Sequence, residues 1–231
     1  MLPIYNDILR LHSTRGVDIL SSGTTGTQKH IHRTPENLKA CNKVAIDAQM
    51  ITTKSRVYTC TKMDHAGGLL LQTLPAYTLG CDIHITQFNP YQFLTEFQDY
   101  SHTFLPPKMC QAVMNTKGFS TCDLTGKIIS MGSDRTASSE IQAFIDKGAI
   151  VVANWGMSEV GPNAINKVYR KGDELDFTEN ILGDTTYCDT KIVGKELYVK
   201  GDISIHDDWF ATGDLVTYEN DCYWYQGRKV L

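Results

Sequence analysis

A polar loop follows a short apolar segment near the start of the chain, and it guides the interpretation of everything downstream. The apolar segment is Val17–Leu20, and the loop reads Ser21-Ser22-Gly23-Thr24-Thr25-Gly26-Thr27-Gln28-Lys29. Glycines let backbone N–H groups approach an anion closely, hydroxyls donate to phosphate oxygens, and a lysine adds positive charge. The stretch differs from the GxxxxGK[ST] pattern, because its hydroxyls come before the lysine. By composition alone, a phosphate-binding loop and a flexible polar turn both remain open.

Strand-like and helix-like segments alternate after this loop. We predict a helix over residues 35–50, with Thr34 as its N-cap and Pro35 in its first turn. Pro75 is expected to kink or shorten a second helix over residues 67–79. The remaining predicted strands are 56–60, 82–86, 102–105, 127–131 and 149–154, and the remaining helices are 90–98, 109–115 and 137–146. This alternation predicts a parallel-rich sheet flanked by helices.

The pattern changes after residue 160. Short alternating runs, separated by glycines, occupy residues 190–193, 196–200, 215–218 and 223–226. Such runs predict a small antiparallel sheet or barrel. We therefore expect an α/β fold in two parts, an α/β subdomain over residues 1–160 and a small β subdomain over residues 161–231, packed together.

Composition narrows the classes of function. The chain has 231 residues, of which 42% are hydrophobic and 21% charged, as in soluble globular proteins. A net charge of -4 gives no basic surface for nucleic acid. Seven scattered cysteines without a CxxC pair favour a reduced compartment over a disulfide framework or zinc site. With no secretion signal and no apolar segment long enough to span a bilayer, we expect a cytoplasmic protein.

The polar loop closely resembles the phosphate-binding signature of the adenylate-forming superfamily. That superfamily includes acyl-CoA synthetases, luciferases and peptide-synthetase adenylation domains. Gln28 stands where the signature usually has proline, and the continuation ends in an Asn-Leu pair like Asn37-Leu38. The resemblance implies that six residues of the loop bind phosphate, namely Ser22, Gly23, Thr24, Thr25, Gly26 and Lys29. It also implies a catalytic role for Lys29.

Residues 64–69, Asp-His-Ala-Gly-Gly-Leu, resemble the segment that lies beside the acyl pocket in this superfamily. The resemblance implies that His65 and Gly67 lie at the acyl substrate. The context of this segment, through Leu105-Pro106-Pro107, is most similar to the o-succinylbenzoate–CoA ligase branch. From the residue alone, an ordinary partly buried histidine is the alternative interpretation of His65.

Residues 130–134, Ser-Met-Gly-Ser-Asp, follow an apolar strand and resemble the Gly-Gly-Ala turn that lies against adenine. Met131 and Ser133 depart from that pattern. The resemblance implies adenine contacts by Gly132 and Ser133.

Residues 154–159, Asn-Trp-Gly-Met-Ser-Glu, resemble the Tyr-Gly-x-Thr-Glu signature of the superfamily. An aromatic ring can stack on a purine, a hydroxyl can donate to phosphate, and a glutamate can bind Mg²⁺ that bridges phosphates. The alternative is a strand end with a structural tryptophan. The resemblance implies nucleotide contacts by Trp155, Gly156, Met157 and Ser158, and a catalytic, Mg²⁺-binding role for Glu159.

Residues 208–215, Asp-Trp-Phe-Ala-Thr-Gly-Asp-Leu, match the Trp-Phe-x-Thr-Gly-Asp-Leu signature almost completely, and residues 194–201 resemble the strand before it. The resemblance implies that Asp214 accepts hydrogen bonds from both ribose hydroxyls, which suits a carboxylate with two acceptor oxygens. Gly227-Arg228-Lys229 matches the Gly-Arg-Lys that closes the large domain, so Arg228 is expected to reach ribose or phosphate. The alternatives are a turn aspartate and a solvated cation.

The resemblance covers about residues 17–229, so we expect a chain short at both ends, with the C-terminal domain of the superfamily absent. That domain supplies a lysine to the reacting α-phosphate, and its loss is expected to impair turnover. We expect ATP- and Mg²⁺-dependent activation of a small-molecule carboxylate to an acyl-adenylate, giving AMP, with CoA as a candidate acceptor. A separate C-terminal domain acting in trans, or a homodimer, is the expected partner. The alternatives are a non-catalytic module or pseudoenzyme that binds ATP or AMP, and a scaffold without nucleotide binding.

Overall fold

Two sheets and one short hairpin organise the chain in a computed structural model that describes residues 6–21, 29–175 and 180–229. The helices are α1 (Asn6–Arg15), α2 (Pro35–Ala48), α3 (Ala66–Gly68), α4 (Leu74–Thr78), α5 (Pro90–Glu96), α6 (Pro107–Met114) and α7 (Ser138–Asp146). The strands are β1 (Val17–Leu20), β2 (His30–Arg33), β3 (Arg56–Thr59), β4 (Asp82–Ile85), β5 (His102–Leu105), β6 (Ile128–Met131), β7 (Ile150–Met157), β8 (Gly161–Tyr169), β9 (Ile181–Gly183), β10 (Thr185–Thr186), β11 (Asp189–Val193), β12 (Glu196–Lys200), β13 (Phe210–Glu219) and β14 (Cys222–Arg228).

The larger sheet has seven strands in the order β10-β8-β7-β6-β5-β3-β4. Its strands from β4 to β7 are parallel, β8 pairs antiparallel with β7, and β10 pairs antiparallel with β8. The second sheet has five antiparallel strands in the order β11-β12-β13-β14-β9. The predicted α/β fold, with a parallel-rich sheet followed by a small antiparallel sheet, is confirmed.

The change to antiparallel pairing begins inside the larger sheet. A tight turn over residues 158–160 reverses the chain, and β8 then pairs along β7, with Trp155 opposite Ile165. Two strands that follow residue 160, β8 and β10, therefore belong to the larger sheet. Strand β7 continues past its predicted end at residue 154 because β8 supplies hydrogen-bond partners for the added residues. The expected division at residue 160 falls within this hairpin.

Three buried apolar clusters hold the layers together. One contains Phe93 and Phe144 from α5 and α7, and a second contains Ile19 and Leu38 from the hairpin and α2. The third joins Cys41 of α2 to residues of β8 and of the five-stranded sheet. Burial of apolar surface stabilises these contacts, so the two sheets and α2 form one packed unit.

The predictions for α2 and for the helical segment around Pro75 have different outcomes. The Thr34 Oγ1 accepts from Asn37 N at 3.2 Å, which confirms the predicted N-cap of α2. Near Pro75 the helical course continues from α3 through a π turn (Leu69–Thr73) into α4. A proline cannot donate to the carbonyl four residues earlier, and the buried Gln49 Nε2 donates to that carbonyl, Leu71 O, instead.

Candidate functional site

The hairpin of β1 and β2 holds the base of the candidate phosphate loop. Ser21 N donates to Lys29 O at 2.9 Å, and Lys29 N donates to Ser21 Oγ at 3.0 Å. These bonds close the base and leave Lys29 exposed there. Residues 22–28 of this loop lie outside the described part of the chain, and they include the expected phosphate ligands Ser22, Gly23, Thr24, Thr25 and Gly26.

The segment with His65 lies directly beside this hairpin. Leu20 N donates to Asp64 O at 2.8 Å, and Leu20 and His65 form a parallel β-bridge. The His65 side chain is 25% exposed, with Nε2 at 3.7 Å from Asp64 Oδ1. A Cβ at Gly67 would come within 2.4 Å of Phe104 Cε1, so only glycine lets α3 pack this closely on β5. The tertiary structure thus brings the expected acyl-side segment next to the base of the phosphate loop.

Gly132 lies at the end of β6, pressed against β7. A Cβ at this position would come within 2.4 Å of Asn154 O and 2.5 Å of Asn154 Nδ2. Ser133 follows with φ 73, a left-handed backbone that few side chains adopt. The expected adenine turn therefore lies against the residue that immediately precedes Trp155.

Trp155, Asp214 and Arg228 form one contact set. Trp155 Nε1 donates to Asp214 Oδ2 at 3.0 Å, and Arg228 Nη1 donates to Asp214 Oδ1 at 3.0 Å. Asp214 and Arg228 face each other because β13 and β14 pair them in register. Burial raises the pKa of the Asp214 carboxyl, while the bonds from Trp155 and Arg228 act to lower it.

Asp214 is neither a turn residue nor a freely exposed one. It lies within β13 and is only 5% exposed, whereas the Arg228 side chain is 45% exposed and pairs with it. The turn-aspartate interpretation therefore does not describe Asp214, whereas Arg228 is a partly solvated cation that pairs with Asp214.

Ser158 and Glu159 occupy the tight turn between β7 and β8. A Cβ at Gly156 would come within 2.3 Å of Gly161 O, so the hairpin requires glycine to close here. Ile205 N donates to Glu159 O at 3.0 Å and ties the turn to the chain beyond β12. With Met157 as the last residue of β7, the whole expected nucleotide segment from Trp155 to Glu159 lies at one strand end.

Arg33 was missed by the sequence analysis. Its side chain is fully buried, and its Nη2 donates to Ser158 O at 2.6 Å. The signal in the sequence was weak: Ile31 and Arg33 are the two inward-facing positions of β2, and only the first is apolar. Arg33 connects the strand that follows the phosphate loop to the turn that carries Glu159.

Glu159 has no cluster of protein co-ligands among the described residues. Across residues 6–21, 29–175 and 180–229, no group of three or more His, Cys, Asp and Glu side chains could hold a metal ion. A single carboxylate suits Mg²⁺, which usually keeps several waters and binds one or two carboxylates together with substrate phosphates. The donor set fits a metal that arrives with a nucleotide.

The sequence profile of the AMP-binding enzyme family matches residues 18–212 of this chain. The chain belongs to the AMP-binding enzyme family. The matched residues include the candidate-site segments described above except Asp214 and Arg228, which lie 2 and 16 positions beyond the end of the match.

Two curated members of this family are similar in sequence. An indoleacetate–CoA ligase of Aromatoleum aromaticum is 26% identical over 241 aligned residues, covering 90% of this chain and 46% of the ligase. An acyl-CoA synthetase of Gibberella moniliformis is 33% identical over 89 residues, 38% of this chain and 16% of the synthetase. The chain thus spans about half the length of the ligase and less of the synthetase.

Solved structures share the fold. The N-terminal domain of FACL13 from Mycobacterium tuberculosis superposes with a TM-score of 0.77 at 17% identity, covering 91% of this chain and 60% of that one. ATP-bound MatB from Rhodopseudomonas palustris gives a TM-score of 0.74 at 16% identity, with 94% and 48% covered. The adenylation domain of a keto acid-selecting peptide-synthetase module gives 0.78 at 18% identity, with 91% and 51% covered. None of the described helices has both the length and the apolar character to cross a membrane.

Proposed function

We propose that this chain binds ATP with Mg²⁺ and activates a carboxylic acid as an acyl-adenylate. The observation that carries the proposal is the hydrogen-bonded set of Trp155, Asp214 and Arg228. This set unites three residues expected at adenine and ribose. The same strand that bears Trp155 ends at the Ser158–Glu159 turn, so a nucleotide on the set would extend its phosphates toward that turn.

The Asp214 carboxylate suits a ribose with two adjacent hydroxyls. Each of its oxygens accepts one bond from the protein, and a carboxylate oxygen accepts more than one. The Arg228 guanidinium favours the ionised form that such hydroxyls need. Gly132, which is packed against Asn154, and Ser133, which follows it, would lie beside the adenine.

The proposed reaction is a displacement at the α-phosphorus of ATP. A carboxylate oxygen of the acid forms a bond to that phosphorus, and the bond to the bridging oxygen breaks, so that pyrophosphate leaves with its electron pair. Such chemistry depends on positioning and neutralisation of charge. Lys29 and Ser158 would bind phosphate oxygens, and Glu159 would hold Mg²⁺, which supplies further positive charge.

The acid would lie on the side of His65. This assignment is supported by the contact between Leu20 and the segment at Asp64 and His65, because it puts that segment next to the base of the phosphate loop. CoA is the acceptor we propose for the second step, in which a thiolate displaces AMP from the acyl-adenylate. Aryl acetates and o-succinylbenzoate lead the candidate acids, the first because a similar protein is an indoleacetate–CoA ligase.

A second candidate function is binding of ATP or AMP without turnover. The chain aligns with 46% of the length of the indoleacetate–CoA ligase, so the similarity by itself carries only the shared region. An activity of the whole ligase need not reside in the shared region. A C-terminal domain acting in trans, or a second copy of this chain, is the partner that we propose for the complete reaction.

The test is carboxylate-dependent release of pyrophosphate from ATP and Mg²⁺, measured over a panel of acids beside nucleotide binding by calorimetry. We expect binding of ATP and AMP by the chain, and pyrophosphate release with at least one acid when a C-terminal domain of a related synthetase is added. Binding without release under any condition would favour the second candidate. Absence of both binding and release would overturn the proposal.

The matched variants for this test are Asp214→Ala and Asp208→Ala. Loss of the buried carboxylate should weaken nucleotide binding by about 1–3 kcal/mol, the scale of hydrogen bonds to charged groups. Asp208 lies nearby in sequence, but its side chain is 82% exposed and paired with Lys200, so its loss should leave affinity unchanged. Equal affinities in the two folded variants would remove Asp214 from the site.

A further inference from the structure

Arg33 makes an unusual set of contacts for a fully buried arginine. Its Nη2 donates to Ser158 O at 2.6 Å, and its Nη1 donates to Ile203 O at 2.9 Å. The same Nη1 contacts Asn37 Oδ1 and lies 3.3 Å from Cys41 Sγ. Its Nε has no hydrogen-bond partner within the described part of the chain.

No carboxylate of the described residues forms an ion pair with this guanidinium. Two of its partners are backbone carbonyls, one is an amide and one a thiol, and in the described ranges no aspartate or glutamate forms an ion pair with Arg33. Burial lowers the pKa of Arg33, and the nearby Glu159 carboxylate acts in the opposite direction. Arginine nevertheless stays protonated in proteins, so the fold retains a cation behind the Glu159 turn. Burial of a charge that has no ion pair among the described residues costs stability, and ionisable groups perturbed in this way cluster at functional sites.

Three separate parts of the fold meet at Arg33. The residue ends β2, the strand that leaves the phosphate loop at Lys29. Through Ser158 O it holds the turn of Glu159, and through Ile203 O it holds the segment after β12.

Asn37 extends the same connection. Its Nδ2 donates to Asp202 O at 2.7 Å and to Ser204 O at 2.9 Å, while its Oδ1 accepts from Arg33. Ile205 N then donates to Glu159 O at 3.0 Å and closes the path back to the turn. The Glu159 turn is therefore fixed from two sides by a network that begins at Arg33.

We propose that Arg33 is a positioning residue for the polyphosphate and Mg²⁺ part of the nucleotide. It sets the Ser158–Glu159 turn against the phosphate-loop hairpin, and its buried charge raises the positive potential where β- and γ-phosphates would lie. This inference rests on the proposed function. It predicts that Arg33 strengthens the binding of ATP with Mg²⁺ far more than the binding of AMP. Adenine and ribose would be held by Trp155 and Asp214, whose hydrogen bonds do not involve Arg33.

The experiment compares Arg33→Met, Arg33→Lys and Arg170→Met with the unaltered chain. Arg170 is an exposed arginine just after β8 and serves as the matched control. Dissociation constants for ATP with Mg²⁺ and for AMP are measured by calorimetry. The Mg²⁺ midpoint, the Mg²⁺ concentration that gives half-maximal ATP binding, is measured by titration at fixed ATP. Folding is checked by the melting temperature.

We expect Arg33→Met to weaken the binding of ATP with Mg²⁺ about tenfold or more, as for loss of bonds from a charged group. The affinity for AMP should change by no more than about threefold. The Mg²⁺ midpoint should rise in parallel. Arg33→Lys keeps the charge but has one ammonium in place of a forked guanidinium, so it should give an intermediate ratio of the ATP and AMP constants. Arg170→Met should change neither constant.

A folded Arg33→Met variant with the original ratio and Mg²⁺ midpoint would overturn the inference. If that variant does not fold, Arg33→Lys decides, since an unchanged ratio in it overturns the inference equally. If neither variant folds, Arg33 is purely structural and the inference is wrong. Failure of the unaltered chain to bind either nucleotide would instead overturn the proposed function itself.

Discussion

The indole of Trp155 and the carboxylate of Asp214 are joined by a hydrogen bond, with Nε1 at 3.0 Å from Oδ2, although the residues are 59 positions apart. Trp155 lies on β7 of the larger sheet and Asp214 on β13 of the smaller one. One bond therefore connects the two sheets at the point where a nucleotide would lie. A tyrosine or phenylalanine at residue 155 would present no N–H from its ring, so this bond depends on tryptophan.

Trp155→Phe keeps an aromatic ring and removes the donor. Loss of a donor to the ionised form should raise the pKa of Asp214 further, beyond the rise caused by its burial. Because ribose binding needs the carboxylate ionised, nucleotide affinity should fall at a higher pH in the variant than in the unaltered chain. The measurement is the affinity for AMP by calorimetry across the acidic range. At neutral pH the variant should lose about 1–3 kcal/mol of binding free energy.

The control for this prediction is Trp224→Phe. Trp224 also donates through Nε1, to Glu219 O at 3.2 Å, but this bond lies within the β13–β14 hairpin. An identical pH profile for both variants would show that the Trp155 bond does not act on Asp214.

His102 should make the fold sensitive to acid. It is 3% exposed, and its Nε2 lies 3.0 Å from Gln49 O. Burial lowers the pKa of His102, so the unfolded chain, with a histidine pKa near 6.5, binds the proton more readily than the folded chain. The free energy of unfolding should therefore fall as the pH drops below about 6.5, by up to about 1.4 kcal/mol per pH unit for this group, and be unaffected by it at higher pH.

Urea unfolding between about pH 5 and pH 8 measures this slope. His102→Gln should reduce the fall in the free energy of unfolding at acidic pH relative to the unaltered chain. His84→Gln, at an exposed position on β4, should leave that fall unchanged. An unchanged slope in folded His102→Gln would assign the acid sensitivity to other groups.

Gly67→Ala should be destabilising because the added methyl has no room. Its Cβ would come within 2.4 Å of the Phe104 ring, far inside van der Waals contact. Overpacking of this kind typically costs about 1–3 kcal/mol, measured here as a loss in the free energy of unfolding. Phe104→Leu in the same chain should recover part of the loss, which a double-mutant cycle would quantify.

Gly118→Ala is the matched control, since its Cβ would meet Leu94 Cδ1 at an ordinary 3.5 Å. Equal effects of the two alanine substitutions would mean that helix α3 moves freely to accept the methyl. In that case the close packing at Gly67 would not constrain the position of His65.

Local patterns in the sequence were sufficient for the family, the fold class and most elements. Thr34 and Pro35 predicted the start of α2, which requires only a short-range cap bond to Asn37 N. Alternation of strand-like and helix-like segments predicted the larger sheet, and short alternating runs predicted the smaller one, because both patterns are local properties of the sequence. The course of the chain through Pro75 was not predictable, since the carbonyl that proline leaves free is satisfied by Gln49, 22 residues away.

The candidate site divides in the same way. The residue types at 155, 158, 159, 214 and 228 could be selected from motifs, each within a few neighbours along the chain. That Asp214 is buried between Trp155 and Arg228 was decided only when two sheets packed together. Arg33 carries no motif at all, and its contacts to Ser158 and Ile203 span 125 and 170 positions. A buried charge acquires its role from the partners that surround it, and those partners are assembled by tertiary packing rather than by sequence neighbours.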